Sequence, residues 1–179
     1  MIEYENTDSS FFRENKIYCE NIESKLKTLN IDCSGYCNCF GYELTTKFER
    51  NDMSFDLKFI KYQTTQNGVT IAVDAQEYAG IELTIRGFNP EYKLTVGKSS
   101  LLRYFCSKEI KERTPKPYFI NLRNSQNYNY IDNLVKVLVE NHISKIRLKN
   151  GKFMTTINVS TNDPIKLIKD VEYIIKNMP

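Results

Sequence analysis

Tryptophan is absent from this 179-residue chain, histidine occurs once, at His142, and glycine and proline supply only seven and five residues. A single histidine excludes every site that needs two imidazoles, whether a metal centre or a paired acid and base. No apolar run approaches the roughly 20 residues that a membrane-spanning helix needs. The opening stretch, MIEYENTDSSFFREN, lacks the basic start and apolar run of a secretory leader. Five cysteines cannot all pair within one chain, which favours a reducing compartment. The expectation is a cytoplasmic protein without a membrane partner.

What is present suits one globular domain over 1–179, divisible into a helix plus β-meander (1–97) and a mixed half (98–179), because 41% of the residues are hydrophobic and 26% charged. Twelve tyrosines and ten phenylalanines supply bulky bodies for the core and its margin. The net charge of +3 is unevenly spread. Residues 1–60 carry 7 basic and 11 acidic side chains, and residues 61–179 carry 18 and 11.

Phe11, Tyr18, Ile22, Leu26 and Leu29 recur at helical spacing behind a choice of caps at Asp8, Ser9 and Ser10. Beyond a cysteine-rich loop the period shortens to two. Tyr42, Leu44, Thr46 and Phe48, then Met53, Phe55, Leu57 and Phe59, predict two strands joined by a turn at Asn51 and Asp52, with a bulge near Phe59. Asn67-Gly68 predicts a hairpin into Val69, Ile71 and Val73, and two further strands follow around Ile81–Ile85 and Tyr92–Val96. This gives a meander of about five strands.

The second half opens with a short helix capped by Ser99 or Ser100, then SKEIKERTPKPY, read as a loop or linker, and a strand over Tyr118–Leu122. Ile131, Leu134, Val135, Leu138 and Val139 mark the clearest helix, capped at Asn129. A hairpin turns at Asn150-Gly151, and Asp163-Pro164 starts the last helix, with Ile165, Ile168, Val171, Ile175 and Met178 on its apolar stripe. The fold class is therefore α+β, an antiparallel meander with packed helices, ending in a β-α-β-β-α unit that is ferredoxin-like by topological analogy only.

Three stretches could carry chemistry. Cys33, Cys37 and Cys39 have the spacing C-x3-C-x-C, with Cys19 fourteen positions earlier. Four thiolates can hold zinc, but the two C-x2-C knuckles that usually do so are missing, and buried thiols more often pack as small apolar groups. Gly97-Lys98-Ser99 matches the tail of a phosphate-binding loop, yet Tyr92 stands where its first glycine belongs, so a strand end followed by a serine-capped helix is the better reading. Lys98, Arg103, Lys108, Lys111, Arg113, Lys116 and Arg123 face only Glu109 and Glu112 in their stretch, a candidate anion or nucleic-acid surface without a recognised motif. His142 is expected to cap a helix end.

No catalytic set and no cofactor site assemble from these residues. The leading expectation is a small binding or interaction module whose partner, a protein or small ligand, lies on the sheet face or along a strand edge, where copies of the chain could also pair. A cysteine-loop zinc or redox protein is the first alternative. A nucleic-acid binder using residues 98–123 is the second.

Overall fold

A strand whose apolar and polar side chains alternate can bury one face only, so a sheet of such strands collects its helices on one side. The computed structural model describes residues 1–5, 7, 10–64, 76–87, 93–123, 131–140, 143–149, 152–157 and 163–176. Its elements are β1 (Ile2–Tyr4), α1 (Ser10–Lys27), β2 (Ser34–Asn38), β3 (Gly41–Arg50), β4 (Met53–Thr64), β5 (Gln76–Arg86), β6 (Lys93–Lys98), α2 (Ser100–Tyr104), α3 (Lys108–Arg113), β7 (Tyr118–Arg123), α4 (Ile131–Glu140), β8 (Ile143–Lys149), β9 (Lys152–Ile157) and α5 (Pro164–Lys176). The fold is α+β. The described strands form one sheet of nine, ordered β1-β2-β3-β4-β5-β9-β8-β6-β7, and only β1 and β2 run parallel.

The inner face carries Leu44, Phe55, Leu57, Phe59, Ile81, Leu83, Ile85, Leu94, Val96, Ile146 and Phe153, all buried in one cluster with Ile22, Leu26, Leu134, Ile168 and Val171 from the helices. The helical layer is continuous, because α1 packs on α5, α5 on α4 and α4 on α3. Asp163 caps α5 by accepting from the Lys166 N–H at 3.0 Å. Buried Glu172 of α5 lies 3.3 Å from the Arg50 Nε of β3, within ion-pair range although its Oε1 makes no aligned hydrogen bond. A layer of helices is thus tied to the sheet by apolar packing and one charge pair. No described helix is long and apolar enough to cross a membrane.

Local signals account for several joints. Asn51 and Asp52 have φ of 52° and 62°, the positive pair that a two-residue hairpin turn needs, and they set Arg50 opposite Met53. Asn38 Oδ1 accepts from the N–H groups of Phe40 and Gly41, closing the β2–β3 turn. Buried Asn15 of α1 donates to the Asn38 carbonyl at 2.9 Å and anchors that turn to the helix layer.

Five expectations change. The cysteine-rich loop contains a strand, β2. The register from Phe59↔Leu44 to Tyr62↔Gly41 is unbroken, so β4 has no bulge near Phe59; the irregularity falls instead between Ile143 and Lys145. SKEIKERTPKPY holds α3, capped by Ser107, rather than a linker. The consecutive meander ends at β5, whose next neighbour is β9, and β6 lies between β7 and β8, the place β9 would hold in a ferredoxin-like order. In α4, Val137 is buried where Val139 was expected. The Asn67-Gly68 hairpin, its strand, Asn129, the Asn150-Gly151 turn and Met178 lie outside the described residues.

Gly41 at the start of β3 has no room for a side chain against β4. A Cβ there would lie 1.9 Å from the Lys61 carbonyl oxygen. Gly41→Ala is expected to lose about 3 kcal/mol or more, read as a lower urea midpoint; an unchanged midpoint would contradict this packing.

Candidate functional site

The outer side of the same pleat carries no helix layer among the described residues. Across it the register lines up rows of side chains. One row runs Phe119, Gly97, Lys145, Thr156, Glu82, Lys58, Thr45, Ser34 from β7 to β2. The next runs Asn121, Thr95, Arg147, Met154, Thr84, Asp56, Lys47. In a third, Arg123 stands opposite Lys93, and Lys149 opposite Lys152, which faces Arg86.

Charge divides this face at the β5–β9 boundary. On β3–β5 the signs are mixed and paired, with Lys58 on Glu43 at 2.8 Å and Arg86 on Asp56 at 3.6 Å. The four strands β9, β8, β6 and β7 contain seven Lys and Arg residues and no Asp or Glu. Lys93, Lys145, Arg147 and Lys152 are exposed and have no ion-pair partner among the described residues. Cations on neighbouring strands, about 5 Å apart, repel one another in the free protein. An anion laid across them relieves that repulsion.

At the β7 rim the face meets α2. Phe119 lies over Gly97, where an added Cβ would come within 2.8 Å of the ring, so the absence of a side chain is what lets the ring lie against the strand. Phe119, Thr95 and Asn121 from the sheet, with Leu102, Phe105 and Cys106 from α2 and the turn after it, line an open cleft of about 480 Å³. Helix α2 buries none of its own residues. Leu101, Tyr104 and Phe105 are 71%, 74% and 75% exposed, so hydrophobic packing does not hold it in place.

Arg103 does. Its Nη1 donates to Thr114 Oγ1 and the Tyr118 carbonyl, both at 2.7 Å, and its Nη2 donates to the carbonyls of Lys111 and Thr114, both at 2.7 Å. The planar guanidinium satisfies the last carbonyls of α3 and the first of β7 with one rigid fork, a geometry that an ammonium cannot reproduce. The clasp also closes the sheet edge. The Tyr118 carbonyl is taken by Arg103, the Tyr118 N–H by Pro115, and the Ile120 carbonyl lies 3.5 Å from Cys106 Sγ. An added strand would find these groups occupied, and the opposite edge, β1, has three residues.

The sequence-predicted basic stretch is largely spent inside the fold. Besides Arg103, Lys111 donates to the Tyr104 carbonyl at 2.7 Å, Arg113 pairs with Glu109 and Asp132 at 3.4 Å each, Lys108 pairs with Glu112 at 3.8 Å, and Lys98 lies over the Tyr118 ring. Lys116 is exposed, and Arg123 lies at the end of β7. The Gly97-Lys98-Ser99 segment is a strand end and a helix cap, with the Ser99 hydroxyl accepting from the Leu102 N–H at 3.2 Å. His142 is outside the described residues.

Cys19, Cys33 and Cys37 converge on the inner face under α1, and Cys39 packs at the edge of the same core. Among the described residues no three His, Cys, Asp or Glu side chains are grouped to hold a metal ion. Burial raises the thiol pKa of all three inner cysteines, Cys33 from 9.0 to about 11, and the Cys19 and Cys37 thiols share a hydrogen bond. Raised values keep these sulfurs protonated at neutral pH. That suits packing and opposes a nucleophilic role, which needs thiolate.

No family model, no curated protein and no solved structure matches the chain. The outer-face cations went unseen as a group because Lys93 on β6 meets the β8–β9 pair only through a strand pairing distant in the chain. Part of the signal was nonetheless legible: Lys145, Arg147 and Lys149 alternate out of phase with Ile146 and Leu148.

Two predictions follow from these groups. Arg103→Lys is expected to cost about 2 kcal/mol through loss of the fork, with hydrogen-exchange protection falling first over residues 100–117; unaltered protection would mean that the clasp does not form. For the thiols, only the unfolded chain ionises between pH 9 and 11, so it binds fewer protons there and stability falls as pH rises. Cys33→Ala should flatten that decline in urea melts taken from pH 8 to 11, and an identical slope would contradict the burial.

Proposed function

We propose that this chain is a binding module that holds an anionic partner on the β6–β9 half of its outer sheet face. The observation that carries the reading is the run of four adjacent strands with seven cations and no acid, six of the cations at register positions on the side of the pleat opposite the described helices. A solvated face usually mixes signs, as β3–β5 do here, so a one-signed half stores repulsion that binding would relieve.

The exposed cations are spread over three strands, β6, β8 and β9, on either side of a shallow recess lined by Lys145, Arg147, Met154 and Thr156, which suits an extended polyanion more than a small ion. Four cations, Lys93, Lys145, Arg147 and Lys152, meet it directly. If each neutralises one phosphate, affinity for a single-stranded polyanion falls about 50-fold as salt rises from about 50 to about 200 mM. Polarisation of labelled polyphosphate reads this slope. The double variant Lys145→Glu, Arg147→Glu changes exposed residues only and should weaken binding at least about tenfold with an unchanged melting temperature. Absence of binding at low salt, or indifference to the double variant, would refute the reading.

A further inference from the structure

The geometry points to the cleft between α2 and β7 as a nucleobase pocket, with the cation rows beside it taking the sugar–phosphate strand, so that the anionic partner is single-stranded nucleic acid. This rests on the binding face proposed above and adds the chemistry that selects among polyanions.

The cleft has the parts that a base requires. Two aromatic rings, Phe119 lying over Gly97 and Phe105 at the end of α2, line it, and every base offers a π-face for stacking. Asn121 and Thr95, neighbours across β7 and β6, bring an amide and a hydroxyl to the same opening for a base edge. Their row continues directly into Arg147 on β8, and the adjacent row continues from Phe119 and Gly97 into Lys145. The stacking wall on β7 and the first cations on β8 therefore lie two strands apart, about 10 Å, with the open Gly97 and Thr95 positions of β6 between them. A duplex would hide its base faces from the cleft.

Charge complementarity argues for this occupant over an apolar peptide. The apolar walls open onto strands whose charged residues are all positive, and an uncharged helix or strand would leave those cations unpaired. An acidic peptide would answer the cations but would leave the stacking walls and the Asn121 amide without a matched group.

Phe105 and Asn121 are both exposed, so their replacement spares the core. The test measures polarisation of three labelled probes with the intact chain: a short mixed-sequence single-stranded oligodeoxynucleotide, an abasic strand of equal length, and polyglutamate. The proposal expects the natural strand to bind about tenfold tighter than the abasic strand, and expects Phe105→Ala and Asn121→Ala each to remove most of that difference while leaving abasic binding unchanged. A duplex of the same sequence should bind no better than the abasic strand. Equal affinity for natural and abasic strands, or indifference to both variants, overturns the nucleobase pocket while leaving the anion-binding face intact. Polyglutamate binding as tightly as the natural strand assigns the face to an acidic peptide and also overturns it. No binding of any probe at low salt removes both readings.

Discussion

The two-residue period of the pleat is the constraint on which everything else rests. Each described strand from β3 to β9 buries apolar side chains on the same side of the sheet, and the burial of that side fixes where the helices must lie. A slip of one residue in any strand would carry charges into the core, so the register is held by the same energy that holds the fold. The irregularity between Ile143 and Lys145 belongs to this logic. It lets Ile143 and Ile146 both face inward, and it keeps Lys145 and Arg147 on the outer side.

A second, smaller constraint shapes the rim. Helix α2 is five residues long and buries nothing, so neither propensity nor packing would keep it against β7. Arg103 supplies the missing order through several carbonyl acceptors drawn from α3 and β7. The cleft beside Phe119 exists because that side chain holds Leu102 and Phe105 out over the sheet. The same hydrogen bonds occupy backbone groups that would otherwise invite another strand, so one residue both builds the pocket wall and closes the edge.

Legibility followed the range of the interaction. Elements set by near neighbours were plain in the sequence: α1 and α4 from their apolar spacing, the β3–β4 turn from Asn51 and Asp52, and the start of α5 from Asp163 and Pro164. Where composition argued against structure, the reading failed. The prolines at 115 and 117 masked α3, and the glycines and cysteines around Cys37 masked β2, whose pairing with β3 is what orders it. Strand order was out of reach, because no local signal says that β9 returns to lie beside β5. The candidate site shares that limit. The contiguous cations of residues 98–123 drew attention and proved largely engaged within the fold, whereas the open ones join Lys93 of β6 to Lys145, Arg147 and Lys152 of the later β8–β9 pair.

The central claim is that, among the described residues, the β6–β9 half of the outer side is open to solvent and its cations Lys93, Lys145, Arg147 and Lys152 have no ion-pair partner. Lysine acylation of the native chain, resolved residue by residue by mass spectrometry, tests it most directly. The account predicts that Lys93, Lys145 and Lys152 react as fast as lysines in the same chain unfolded by urea. Strong protection of those three amines in the free, monomeric protein would mean that something already covers this face, and the account would be wrong.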